Sequence, residues 1–506
     1  MISDTKKSVL DLFSEGRKQY KLMDFAKAKD LFTRALAIDP NDLEAHGALA
    51  EMAFSEGDLK SSRTQYEAVH TLAPKDAKAV RALGVIALRE NRIADANREL
   101  ETATTLDSND AEAFYRLAQA REKKSKDPEG TLVAYEKAFA LDRGYTDAGY
   151  RAAQLRSGRN EKDLAINLLE QVVKKDPKHS DAWLSLASLR TEKKDWEKVA
   201  QAYEEFHKIH APTPASSTGL ARAYFSAKKW KEAGEIYPKA IRLNPGKADL
   251  HFELAQVQVH LGEKTLARLS LRNAVAMQPR FKDAHLLLAD LYYELPAPTK
   301  ALESYQEVLK LDPKNAKAWE RSGRVQWQKH DPDAALISFK KAVAIDSQRA
   351  DLQWEIGKLE LIRGTQERAT AAFEKATVLD SKNAQYWFDY GKALHRSKIN
   401  GRAAAAFELA SEADSKRKEI FVELARTDQE LGKWKEAAAA YGKATDLDST
   451  LFVAHVGRGD SLSKIEDWRE ASKSYGKALK LSPNDEKIAF NYAQALDRSG
   501  DRKNAI

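Results

Sequence analysis

The chain has 506 residues, with 83 basic and 76 acidic side chains, a formal net charge of +7 and no cysteine. A single core is rarely built on that length; disulfides, thiolate metal sites and a cysteine nucleophile are excluded, and the small positive excess only weakly favours acidic partners. No run approaches the roughly 18 consecutive apolar residues of a membrane span, and the N-terminus enters an amphipathic helix with no apolar signal core, so a cytoplasmic protein is expected, with peripheral association to a membrane complex left open.

Residues 1–8 form a short N-terminal extension. From residue 9 a unit of 34 residues recurs fourteen times in full and breaks off in a fifteenth. Its eighth residue is always small, beginning Gly16, Ala50, Gly84, Ala118 and ending Gly459, Ala493. Apolar and small positions fall three and four apart and never alternate, so each unit is predicted to form two helices, each with one buried stripe. In repeat six, Trp183, Leu186, Ala187 and Arg190 share a face of the first helix, and Val199, Tyr203 and Phe206 a face of the second. A large side chain returns at position 24, as Phe32, Tyr135, Tyr237, Phe373 and Tyr475. Units end in pairs such as Asp39-Pro40, Asn244-Pro245 and Asp380-Ser381, expected to stop one helix and cap the next. A period of this length marks a solenoid, whose stacked units bury a shared core and present an extended binding surface.

Repeats one to six span residues 9–210, with one extra residue in the segment Lys123–Pro128 of repeat four, read as a surface loop. Residues 211–217 are expected to form an irregular proline-containing loop. Together with Pro238 inside the following second helix they predict a bend over residues 210–240, with a hinge as the alternative. Repeats seven to fourteen span 218–485. Residues 486–506 are a partial repeat that stops at Asn504-Ala505-Ile506, a turn into its second helix. No polar cap follows, so a longer natural chain is expected, and the uncapped end is a candidate for self-association.

These positions resemble the tetratricopeptide repeat, with its aromatic or leucine at position 4, small residues at 8, 20 and 27, aromatic at 24 and proline at 32. The resemblance implies an all-α fold, a right-handed α-solenoid of antiparallel helix pairs with first helices lining an inner groove. It also implies a non-catalytic scaffold or adaptor that binds protein or peptide segments there within a larger assembly. Two specialisations of the family do not match. Position 9 never holds the asparagine of the carboxylate clamp, and position 6 holds Arg321, Glu355, Asp389 and Glu423 where the sugar-transferring enzymes carry an asparagine ladder.

On each first helix, positions 5, 9 and 12 share a face opposite the buried stripe. From repeat eight to twelve that face carries Phe252 and Val259, Leu286 and Tyr293, Trp327, Trp354 and Leu361, then Phe388. Position 9 becomes basic in repeats ten to thirteen, as Arg324, Lys358, Lys392 and Arg426. Two readings stay open. The face is either an exposed groove for an acidic, apolar peptide, or a completion of the core whose cations pair with Glu355, Asp389 and Glu423 three residues earlier. The substrate-selecting arm of a longer enzyme is the alternative function. Nucleic-acid binding is a weaker one, because acidic residues interrupt the basic positions. No phosphate loop, dinucleotide turn, zinc-protease helix or calcium loop is present, and no cofactor or metal is expected. His207 and His210 lack a third ligand and read as surface residues. His46, His251, His285 and His455, all at position 4, read as packing residues, and Trp196, Trp230, Trp434 and Trp468 as staples of the turn between helices.

Overall fold

Short acidic and amide side chains set where the helices begin. In the computed structural model, which describes residues 2–124, 127–295 and 297–501, Asp42, Asp76, Asn315 and Asp485 each accept a hydrogen bond from a backbone N–H two or three residues on and so start the first helix of their repeat. Where an aspartate ends a second helix it acts differently from expectation. The carboxylates of Asp39, Asp176, Asp312 and Asp380 accept from the backbone N–H of Asn41, Lys178, Lys314 and Lys382 at 3.0–3.3 Å. They close the turn locally and do not cap the next helix. Between the two helices of a repeat one residue adopts a left-handed conformation, for example Gly57, Asn91, Asn160 and Gly432. Among the described residues the outcome is 29 helices and no strand, paired within each repeat up to the single helix Glu486–Arg498. Ser125 and Lys126 of the repeat-four insertion, and the terminal Asn504-Ala505-Ile506, lie outside the described residues.

The chain divides into two compact bodies, Met1–Gly246 and Lys247–Ile506, which hold repeats one to seven and eight to fifteen. The division falls between two repeats, and residues 211–217 lie inside the first body. The irregular stretch is also shorter than expected. Thr213 and Ser216 form a reciprocal capping box, so Pro214 already begins the helix Pro214–Ser226. The helix Trp230–Leu243 runs unbroken through Pro238.

Each repeat is closed by the side chain at position 24. Phe32, Tyr135, Tyr237, Tyr305, Phe339, Phe373 and Phe407 are among the largest fully buried side chains. Phe373 rests on Gly357 so closely that a Cβ there would lie 2.6 Å from the ring. All four phenylalanines at this position, Phe32, Phe339, Phe373 and Phe407, face a glycine at position 8, namely Gly16, Gly323, Gly357 and Gly391. Where position 8 is alanine the partner is tyrosine or leucine. Behind Ala187 and Ala425, the rings of Tyr203 and Tyr441 instead fill the space left by Gly219 and Gly457 of the following repeat. Gly84 and Gly459 likewise seat Leu100 and Tyr475, each 2.6 Å from where a Cβ would lie, so a small residue at position 8 is the constant feature and the large residue against it varies.

Two further contacts register one repeat on the next. The position-4 rings are more than packing residues. His46, Trp183, His285, Trp319, Trp387 and His455 each place a ring nitrogen 2.8–3.0 Å from the backbone carbonyl six residues earlier, at Pro40, Pro177, Pro279, Pro313, Ser381 and Ser449. The inter-repeat proline therefore supplies an acceptor besides stopping a helix. The second contact joins position 25 of one repeat to position 11 of the next. Glu101 meets Arg121, Glu136 meets Arg156 at 2.8 Å, Glu170 meets Arg190 and Glu204 meets Tyr224. In repeats ten and eleven the charges are exchanged, Lys340 meeting the buried Glu360.

At repeats twelve and thirteen the same two positions hold Glu408 and Asp428, two carboxylates. Asp428 is buried, and burial, helped by Glu408 and Glu436 against the opposing pull of Lys433, raises its pKa from 3.8 to about 6. A raised folded-state pKa stabilises the fold below the unfolded value, and that contribution is lost as pH climbs through the folded value. Urea unfolding of the wild type should therefore lose stability between pH 4 and 6 relative to Asp428→Asn. Parallel curves for the two proteins across that window would contradict the assignment.

Candidate functional site

All the candidate groove residues belong to the C-terminal body. They lie on the first helices Ala248–His260, Lys282–Glu294, Ala316–Gln328, Ala350–Ile362, Ala384–Arg396 and Lys418–Glu430. These helices form the more crowded layer where repeats twelve to fourteen meet, since Ala384–Arg396 touches Lys418–Glu430, which in turn touches Phe452–Lys464.

The apolar side chains do not form a continuous exposed stripe. Phe252, Val259, Leu286 and Tyr293 are half-buried and packed against the core of repeats eight and nine, with the Phe252 ring 4.9 Å from Phe281 and Arg321 held 5.1 Å above Tyr293. Trp354 and Leu361 pack likewise on the core of repeats eleven to thirteen. Phe388 is only 7% exposed and belongs to that core, so it is corrected from a groove contact to a packing residue; Lys392 and Arg417 lie over its ring at 5.4 and 4.4 Å. Trp327 alone of the set is exposed, at 41%. At position 5 of repeat ten the aromatic is replaced by Glu320, which is buried and bound by Arg349 at 2.7 Å and Arg324 at 3.1 Å. Burial pushes the Glu320 carboxyl up, but the two guanidinium groups outweigh it and hold the group below its ordinary range.

The four cations differ in how fully they are used. Arg324 is committed to Glu320 and, at 3.3 Å, to Asp351. Lys358 pairs with Glu355 at 2.8 Å while its ammonium stands 3.8 Å over the Trp354 ring. Arg426 pairs with Glu423 at 3.3 Å. Lys392 is exposed and, among the described residues, has no carboxylate within ion-pair distance. The reason is local. Asp389, one turn before it, accepts from the Trp354 indole N–H at 2.8 Å and from the Gln385 amide at 2.6 Å. Trp354 and Asp389 are 35 residues apart, one period plus one, so a position-5 tryptophan finds an acceptor at position 6 of the next repeat. That spacing is a signal present in the sequence.

A second concavity lies in the N-terminal body, where the first helices of repeats three to five enclose about 600 Å³ lined by Arg89, Arg116, Glu122, Tyr135 and Arg151. Its charges neutralise one another, Arg116 with Glu112 at 3.6 Å and Arg151 with Glu122 and Asp147 at 3.8 Å. Of the isolated histidines, His207 is half-buried and bonded to Ser216 at 2.8 Å, and His210 stacks on Phe206; the first is thus part of the turn and not a surface residue. No group of three metal-ligating side chains occurs among the described residues, and no helix there is long and apolar enough to cross a membrane. Trp230, Trp434 and Trp468 open their second helices, with Trp230 against Phe225 at 5.5 Å and Lys464 and Arg498 over the other two rings.

Two family profiles described as tetratricopeptide repeat match the chain, one over residues 218–271, 252–316, 298–350, 355–417 and 456–506, the other over 20–86 and 122–189. No curated protein matches. Among solved structures, similarity is found to the C-terminal part of a TPR repeat-containing protein from Cytophaga hutchinsonii (18% identity, 47% of this chain and 98% of that one, TM-score 0.39). It is also found to YrrB, a TPR protein described with an unusual peptide-binding site (18%, 39% and 99%, TM-score 0.34). A third similarity is to a chain of the Naa15/Naa10 complex bound to HypK-THB (13%, 98% and 97%, TM-score 0.34).

Exposure separates the two tryptophans by role. Trp354→Ala should destabilise the C-terminal body by about 2 to 3 kcal/mol, less than a fully buried ring, and Trp327→Ala by no more than about 0.5 kcal/mol. Chemical denaturation of both variants checks this, and equal losses would contradict it.

Proposed function

The chain belongs to the tetratricopeptide repeat family, and from that premise we propose that it is a non-catalytic scaffold whose repeats ten to thirteen hold an extended protein segment bearing carboxylates and apolar side chains. The observation that carries this is Lys392, an exposed cation whose nearby carboxylate is already bound to Trp354 and Gln385. It stands in register with Lys358 and Arg426, and Trp327 offers an exposed ring on the same face. First helices of neighbouring repeats pack about 8–10 Å apart, and an extended strand rises about 3.3 Å per residue. Acidic residues at every third position of the partner would therefore match successive repeats. Glu355 and Glu423 interleave the cations, which disfavours a uniform polyanion such as nucleic acid.

The test is fluorescence anisotropy with a labelled peptide carrying glutamate at every third position among leucines. Wild type should bind, and Lys392→Glu should weaken binding roughly tenfold or more by replacing attraction with repulsion. Lys375→Glu, on a second helix, should leave it unchanged. Equal affinity of the Lys392→Glu variant would exclude this face.

A further inference from the structure

The turn joining the two helices of repeat one differs from its counterparts. Its left-handed residue is Met23, at φ 62°. At the same turn the other described repeats use glycine, asparagine, lysine, histidine or glutamate, residues that tolerate the conformation or are at home in water. Met23 is 77% exposed, and beside it Leu22 is 66%, Phe25 46% and Tyr20 38% exposed, with the Phe25 and Tyr20 rings edge to face at 5.3 Å. Four adjoining apolar side chains thus project from the tip of a helical hairpin, whereas the equivalent turns of repeats two and three are Gly57-Asp58 and Asn91-Arg92.

The surroundings are basic. Arg17, Lys18, Lys21, Lys27 and Lys29 lie within two turns of the tip and are all exposed. Lys18 meets Glu15 at 3.5 Å and Lys29 meets Glu56 at 3.0 Å. Among the described residues Lys21 and Lys27 have no carboxylate within 4 Å, and Asp24 is occupied in capping the helix Phe25–Ile38. Flexible leucine and methionine at a protruding apex, an aromatic pair behind them and lysines around the base are what an interfacial anchor requires. The apolar tips enter the headgroup boundary while the ammonium groups remain at the anionic surface.

We propose that the repeat-one hairpin tip, Tyr20 to Phe25 with Lys21 and Lys27, docks the protein on an anionic lipid bilayer. The face is independent of the peptide surface in repeats ten to thirteen. The experiment is cosedimentation of the full chain with phosphatidylcholine vesicles prepared with and without phosphatidylserine, at low and raised salt. Wild type should sediment with the anionic vesicles at low salt and be released by salt. Lys21→Glu with Lys27→Glu should weaken binding by roughly 30-fold or more, from about 1 kcal/mol per basic residue at the surface. Met23→Asn, which places at the tip a residue that repeats three and five already use there, should weaken it several-fold with an unchanged thermal melt. Failure of the wild type to bind anionic vesicles at low salt, or undiminished binding by these variants, would overturn the assignment and leave an acidic, apolar protein surface as the occupant.

Discussion

The structure depends on one steric agreement repeated along the chain: the ring or leucine at position 24 needs the space left by a small residue at position 8. Burying a side chain of this size contributes about 1.5–3 kcal/mol, more than any single ion pair on the surface. Because Phe373 lies on Gly357, the ring on one helix of the repeat rests directly on the backbone of the other, and neither helix would be stable alone. Other local features hold this contact in place. Asp42 and Asn315 fix where the first helices start, and the ring nitrogens of Trp319 and Trp387 tie each repeat to the turn before it. In such an array each repeat is stabilised by its neighbours alone.

The charge pairs from position 25 to position 11 add registration more than energy. Glu136 with Arg156 and Lys340 with Glu360 have opposite polarity yet occupy the same geometry, so complementarity matters and sign does not. The Glu408 and Asp428 positions depart from that rule, and there repeats twelve and thirteen are joined by apolar packing, including Phe407, Phe421 and Leu424, and by Glu430, which accepts from Asn400 at 2.8 Å and lies 3.1 Å from His395. That contact adjoins the exposed Lys392.

The fold was legible because its determinants, a 34-residue period and the alternation of small and large positions, are properties of residue type alone. The surface was less legible, since its outcome depends on which of several partners a side chain reaches. Lys358, Lys392 and Arg426 are each preceded by a carboxylate at the same spacing, yet only Asp389 is diverted, because Trp354 happens to precede it by one repeat. Phe388 and Trp327 both lie on the face that periodicity marked as the groove. The first is covered by Arg417 and Lys392, and the second has no such cover. The exposed apolar tip at Met23 was invisible to a repeat-by-repeat reading, which treats turn residues as interchangeable.

The agreement between positions 8 and 24 can be tested directly by a double-mutant cycle on Gly357→Ala and Phe373→Leu, measured by equilibrium denaturation. Alanine with leucine is a combination the chain already uses at Ala153 with Leu169 and Ala255 with Leu271. Gly357→Ala alone should then cost about 1–3 kcal/mol by overpacking, and the double variant should lose at least about 1 kcal/mol less than the two single losses combined. Additive losses, within about 0.5 kcal/mol, would mean that the ring and the glycine do not share one space, and the account of how this array is held together would be wrong.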